Sequence, residues 1–207
     1  MHIKACGEQA VLVEMSSLNE VLALHRTVTS WQLEGIVDLV PAATTLLIMI
    51  DTAQLTPKDV ASRLATYDPN DAQSAERTSP HTVIVPVRYD GPDLAPLSEK
   101  LGWSPEELVK RHTHAQWTAA FGGFAPGFMY LVPADPFPSV PRLDSPRPAI
   151  PAGSVGLAGE FSGIYPQNSP GGWQLIGSTN EVLWDPTNDE RPALIMPGDI
   201  VRFVEEN

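Results

Sequence analysis

The sequence predicts an α+β chain in two parts, a small α/β sandwich over residues 1–78 and a closed β-barrel over residues 79–207. Three observations predict it. The stretch 68–80 holds no aromatic or large aliphatic residue and reads as a linker. Ahead of it, capped amphipathic segments alternate with β-branched runs. Behind it, ten of the 21 prolines fall between Pro126 and Pro170, and ten of the 15 glycines between Gly122 and Gly177. Each proline removes a backbone donor and each glycine weakens a helix, so only short strands with glycine corners survive there.

In the first part, Val11–Val13 reads as a short strand. Ser17-Leu18-Asn19-Glu20 has the form of a capping box, and Leu18, Val21, Leu22, His25 and Val28 fall on one face of the helix it starts. Ile36–Val40 and Thr45–Ile50 are strands turned at Pro41. Thr56-Pro57-Lys58-Asp59 opens a second helix with proline at its first position, and Val60, Ala61, Leu64 and Ala65 form its apolar face. The order is β-β-α-β-β-α, one sheet with helices on one side. In the second part, Thr82–Arg88 is a strand that Pro86 confines to a sheet edge. Asp93 is positioned to cap a short helix through Leu101. Ser104-Pro105-Glu106-Glu107 starts another that ends near His114. Short strands then follow at Phe128–Val132, Val155–Ala158, Gln174–Ile176, Val182–Trp184, Leu194–Met196 and Ile200–Val204.

Composition bounds the function. The chain has 207 residues, 43% of them hydrophobic, which is ample for a buried core. Thirteen Lys and Arg against 25 Asp and Glu give a charge of −12, which argues against a nucleic-acid or anionic-membrane partner. No run of 18 apolar residues suits a membrane helix, and the absence of a signal-peptide core sets a cytoplasmic expectation. Cys6 is the single cysteine, so a cysteine-rich zinc site is excluded and no metal is expected. Neither the phosphate-binding loop nor the dinucleotide fingerprint occurs.

The densest segment is Phe121-Gly122-Gly123-Phe124-Ala125-Pro126-Gly127-Phe128-Met129-Tyr130-Leu131. Its aromatics have two readings, the wall of a flat pocket or the filling of a barrel core. Arg142 and Arg147 are the only Lys or Arg residues between Phe121 and Trp184. Each follows a proline, which stiffens the backbone from which a carboxylate-binding fork projects. The competing reading is a surface ion pair with Asp135 or Asp144. His112 and His114 do not share a helix face, so they make no metal pair; His112 is either a hydrogen-bonded structural residue or a titrating group. Ser154 lacks the glycine two residues before it that a nucleophile elbow needs. Ser169-Pro170-Gly171-Gly172-Trp173 is a turn whose N–H groups suit an anion, with Trp173 as a core anchor in the other reading.

Five motifs then occur in order. Gly123-Phe124-Ala125-Pro126-Gly127-Phe128-Met129-Tyr130-Leu131, the paired steps Pro141-Arg142 and Pro146-Arg147, Pro151–Gly159, Ile164-Tyr165-Pro166 with Ser169–Gly177, and Pro197-Gly198-Asp199 with Phe203 together resemble one family. It is known as the B-type subunit of 5-oxoprolinase, allophanate hydrolase subunit 1 or KipI. The resemblance runs nearly end to end. It implies a cyclophilin-like barrel in the second part and a carboxyltransferase-type unit formed with a C-type partner, also called allophanate hydrolase subunit 2. It implies a complex with an A-type 5-oxoprolinase subunit that opens 5-oxoproline to L-glutamate at the expense of ATP, with ATP held in the complex. The alternatives are the carboxyltransferase component of a biotin-dependent urea carboxylase-like enzyme and a histidine kinase inhibitor. Within the leading reading, His112, Arg142 and Arg147 are the expected catalytic groups. Phe124, Pro126, Phe128, Tyr130, Ser154, Tyr165, Gly171, Gly172 and Trp173 are the expected substrate-binding positions.

Overall fold

The structure is a computed structural model that describes residues 1–68 and 81–206. Its contacts divide the chain into two compact units, Met1–Thr78 and Ser79–Asn207. The stretch read as a linker lies, from residue 69 on, outside the described residues.

The first unit runs β1 (His2–Ala5), β2 (Ala10–Glu14), α1 (Leu18–Ser30), β3 (Ile36–Pro41), β4 (Thr45–Ile50) and α2 (Pro57–Leu64). Its sheet has the antiparallel order β1-β2-β4-β3. Alternate residues Val11, Val13, Leu46, Ile48 and Ile50 face Val21, Leu24 and Val28 of α1 and Val60 and Leu64 of α2. The buried stripe of α1 is therefore turned from the expected one: Leu24 is at its centre, while Leu18, Leu22 and His25 lie at its margin. Only the Thr56 cap is a reciprocal box, with the Asp59 N–H donating to Thr56 Oγ1 and the Thr56 N–H to Asp59 Oδ2. At Ser17 and Ser104 the hydroxyl accepts from the third helical residue, but the glutamate turns elsewhere: Glu20 accepts from Ser16 and Glu107 from Arg111.

The second unit contains β5 (Thr82–Val87), α3 (Leu94–Leu101), α4 (Pro105–His114), β6 (Trp117–Gly122), β7 (Met129–Pro133), β8 (Arg147–Ile150), β9 (Ser154–Ala158), β10 (Phe161–Ile164), β11 (Ser169–Gly171), β12 (Gln174–Ser178) and β13 (Ile200–Glu205). Seven strands form one sheet in the order β12-β9-β10-β7-β6-β13-β5. Arg88, just after β5, bridges Ser178 at the end of β12 through two 2.8 Å backbone hydrogen bonds, which nearly closes the sheet into a barrel. β5 is the terminal strand of the order, and its single neighbour β13 runs parallel to it, consistent with Pro86 at an edge. The expected strands at 182–184 and 194–196 do not form; that excursion is held by the Trp184–Ala193 bridge, by an ion pair of Arg191 with Asp199 and by the Met196 N–H donating to Asp199 Oδ2.

Side chains alternate between two cores. Val83, Val85, Val87, Trp117, Leu131, Val155, Leu157, Ile164, Val201 and Phe203 fill the barrel, with Leu97 of α3 and Leu108 of α4 in the same core. Phe128, Ile150, Ala158, Tyr165, Trp173 and Leu175 form a separate cluster, joined at its margin by Ala125, Tyr130 and Phe161. Because Leu131, Leu157 and Ile164 point inward, their strand neighbours Tyr130, Ala158 and Phe161 belong to the outer face.

Candidate functional site

The outer cluster rests on two glycines. Gly156 and Gly163 pair across β9 and β10. A Cβ at Gly163 would stand 2.8 Å from the Phe128 ring and 3.1 Å from the Trp173 ring; one at Gly156 would stand 3.2 Å from Trp173 Cβ. The bare backbone is thus the floor on which both rings lie. The rings then interlock edge to face: Phe128 with Trp173 at 5.4 Å, Phe128 with Tyr165 at 5.5 Å, Tyr130 with Trp173 at 5.7 Å and Tyr130 with Phe161 at 5.4 Å.

One aromatic is exposed. Phe124 is 56% exposed and packs edge to face on Phe128 and Tyr165. Its φ is +68°, and the Ala125 N–H donates to the Gly123 carbonyl across it at 2.7 Å. This is a γ-turn of the strained hand, costly for any residue with a side chain. Pro126 follows, exposed at the tip of the turn, and the Phe128 N–H donates to the Ala125 carbonyl to close it.

The cations stand beside this wall. Arg147 starts β8, opposite Gly171 of β11. Its guanidinium donates to Asp93 Oδ1 at 2.7 Å and to the Trp173 carbonyl at 3.4 Å. Asp93 Oδ2 accepts the Leu175 N–H at 2.6 Å. Asp93 therefore does not cap α3 as its position suggested; both of its oxygens serve long-range partners. Neither Asp135 nor Asp144 pairs with Arg147. Arg142 is exposed and has no ion-pair partner within 4.0 Å among the described residues. Its backbone is pinned on both sides: Gln174 Nε2 donates to the Pro141 carbonyl at 2.9 Å, and the Leu143 N–H donates to the Gly172 carbonyl at 2.8 Å.

Tyr165 joins the wall to the cations. Burial raises its phenol above the ordinary value, while the Trp173 N–H and the charges of Arg142 and Arg147 pull against that rise. Gly171 lies so close to the Tyr165 hydroxyl that a side chain there would collide with it. Ser154 is buried on the outward side of β9, and its carbonyl accepts the Tyr165 N–H at 2.9 Å. The structure thus brings Phe124, Phe128, Tyr130, Tyr165, Trp173, Gly171, Gly172, Arg142 and Arg147 into one neighbourhood, with Pro126 and Ser154 at its margins.

His112 is placed elsewhere. It lies on α4, fully buried against the barrel interior, between Trp117 at 5.1 Å and a stacked Phe203 at 4.3 Å. Nδ1 is 2.7 Å from the Tyr89 hydroxyl and Nε2 is 2.9 Å from Ser162 Oγ. Burial alone holds its pKa down at about 3, so the ring is neutral at physiological pH. Ser162 points inward while its neighbours Phe161 and Gly163 lie on the aromatic side, so β10 stands between His112 and the arginines. In this placement His112 is a core hydrogen-bonding residue, and the acid–base role expected of it has no free ring nitrogen. The Leu108-Val109-His112 spacing on α4, buried as a stripe, is the sequence signal that locates it.

Asp93, Gln174, Gly156 and Gly163 are the site residues that sequence reasoning missed. A separate cleft of about 380 Å³ beside α4, lined by Tyr89, Leu94, Val109, Lys110, Thr113 and Glu205 among others, contains none of the expected site residues. Among the described residues no cluster of three His, Cys, Asp or Glu is suited to a metal, and no helix is long and apolar enough to cross a membrane.

Comparison with known proteins places this geometry. The family profile described as carboxyltransferase domain, subdomain C and D, matches residues 1–195. The protein named as the B-type subunit of 5-oxoprolinase from Escherichia coli O157:H7 is 34% identical over 97% of this chain and 94% of its own. Its namesake from Bacillus subtilis is 35% identical over 98% of this chain and 91% of its own. Among solved structures, TTHA0988 matches with a TM-score of 0.77 and 32% identity over 97% of this chain, which spans 40% of that longer chain. With a profile match over 195 of its 207 residues, the chain belongs to the family of carboxyltransferase domains of the subdomain C and D type.

Proposed function

We propose that this chain is the B-type subunit of an ATP-dependent 5-oxoprolinase that opens 5-oxoproline to L-glutamate. It works in the cytoplasm with a C-type partner and an A-type subunit. The observation that carries this reading is the likeness to two proteins that bear the name of the B-type 5-oxoprolinase subunit, which extends over nearly the whole of both chains. The site agrees with it. 5-Oxoproline is a small, nearly flat ring bearing one carboxylate. The outer face offers the exposed ring of Phe124, backed by the buried rings of Phe128 and Tyr165, for the substrate ring, and a cationic corner for the carboxylate. ATP, bound in the complex, supplies the driving force by phosphorylating the lactam oxygen. This chain's own residues hold and orient the ring and shield one side of it from water. That the same domain spans 40% of the longer TTHA0988 chain supports a unit that works joined to other polypeptide.

The family's carboxyltransferase description favours one second reading, a component of a biotin-dependent carboxylase. Co-expression with the other subunits separates the two. The 5-oxoprolinase reading expects a stable heteromer whose ATP hydrolysis rises with 5-oxoproline and yields glutamate. The carboxylase reading expects dependence on a biotinylated partner and bicarbonate.

A further inference from the structure

Arg142 and Arg147 stand at one site in different electrostatic states. Arg147 lies 2.7 Å from the buried carboxylate of Asp93, with side-chain exposures of 28% and 10% for the pair. A second carboxylate approaching Arg147 meets a charge already neutralised and a like charge beside it. Arg142 has neither obstacle. The backbone that carries it is nevertheless fixed, because Pro141 and Leu143 are both hydrogen-bonded to the Gly172–Gln174 segment. That segment is held from its other side by Asp93 and Arg147, through the Leu175 N–H and the Trp173 carbonyl.

We propose that Arg142 takes the substrate's carboxylate, and that Asp93 is a positioning residue that retains Arg147 in the frame aiming Arg142. The proposal rests on the reading of the site given above and narrows it. The physical chain runs from Asp93 to Trp173 and Leu175, then through Gln174 to Pro141 and Arg142. The buried Tyr165 phenol, against the Trp173 N–H, feels both guanidinium charges and so reports on them.

The test uses the assembled complex with R142Q, R147Q, D93N, R142Q/D93N and R147Q/D93N. KM and kcat for 5-oxoproline-dependent ATP hydrolysis are measured for each. R142Q should raise KM by at least ~10-fold, the loss of one charge-assisted contact. R147Q should also raise KM, because it leaves the Asp93 charge bare beside the site. Adding D93N should recover most of the R147Q loss and none of the R142Q loss. Lost stability in the Asp93–Arg147 pair lowers the amount of active complex and so the maximal rate, whereas the roles assigned here are read in KM at unchanged kcat. Failure of D93N to rescue R147Q, or an unchanged KM in R142Q, overturns the proposal. A second readout keeps it separate from the enzymatic reading: NMR of the full chain carrying 13Cζ-tyrosine, titrated with 5-oxoproline and with its neutral carboxamide. A Tyr165 shift that needs the carboxylate, disappears in R142Q and persists in R147Q/D93N supports the proposal even if the complex hydrolyses no ATP. No such shift, or one that survives R142Q, overturns it.

Discussion

Replacing His112 by glutamine should remove most of the second unit's pH dependence between pH 7.5 and 5. Unfolded, an imidazole titrates near 6.5; in the barrel, burial holds His112 at about 3. Between those values the unfolded chain binds a proton that the folded chain refuses. Stability therefore rises with pH across this window and is lost as pH falls below about 6.5. Each pH unit is worth at most about 1.4 kcal/mol, so the loss by pH 5 is about 2 kcal/mol. The assay is urea unfolding followed by tryptophan fluorescence in a Trp31→Phe background. The remaining four tryptophans, Trp103, Trp117, Trp173 and Trp184, then all report the second unit. Glutamine keeps a donor and an acceptor for Tyr89 and Ser162 but carries no titrating group. His112→Gln should be less stable than the parent at pH 7.5, and the gap should narrow by about 2 kcal/mol at pH 5. Equal slopes in parent and variant, or a His112 ring that titrates near 6.5 by NMR, would refute the reasoning.

Three further outcomes follow from the site. Phe124→Gly should be more stable than Phe124→Ala by about 1 kcal/mol in thermal unfolding, since both lose the ring and glycine alone relieves the positive φ. Gly163→Ala should cost about 1–3 kcal/mol by denaturant unfolding, because its methyl would stand 2.8 Å from Phe128 and 3.2 Å from the Met129 carbonyl. Arg147→Ala should cost about 1–3 kcal/mol by the same measurement, because Asp93 is left buried without its counter-ion, and adding Asp93→Asn should return part of it. That is a larger effect than a surface ion pair with Asp135 or Asp144 would give.

Local signals were legible where local physics decides. In the first unit β2, α1, β3, β4 and α2 follow from period-two and period-3.6 patterns with caps between them, whereas the four-residue β1 shows too few alternations to stand out. The edge position of β5 follows from one proline, and the aromatic segment could be singled out before any geometry. What could not be read depends on partners distant in sequence. Asp93 sits at a helix start and looks like a cap, but Arg147, 54 residues on, and the Leu175 N–H, 82 residues on, take both its oxygens. Gly156 and Gly163 look like corners; only the β9–β10 register makes them a floor under two rings. His112 is turned into the barrel by the Leu108-Val109-His112 stripe of α4, but its partners Tyr89 and Ser162 lie 23 and 50 residues away and leave no local mark. The 182–184 and 194–196 runs have strand composition, yet the only backbone bond between them among the described residues is from the Leu194 N–H to the Leu183 carbonyl, beside the Trp184–Ala193 bridge.

Co-expression with the A-type and C-type partners tests most directly whether this chain serves as the B-type subunit of a complex that consumes 5-oxoproline. ATP hydrolysis and glutamate release are measured with and without 5-oxoproline. Hydrolysis should rise with 5-oxoproline and form glutamate in step with phosphate, and it should be lost in R142Q at low substrate while the subunits still co-elute. A complex that assembles but hydrolyses no additional ATP when 5-oxoproline is added would contradict that role.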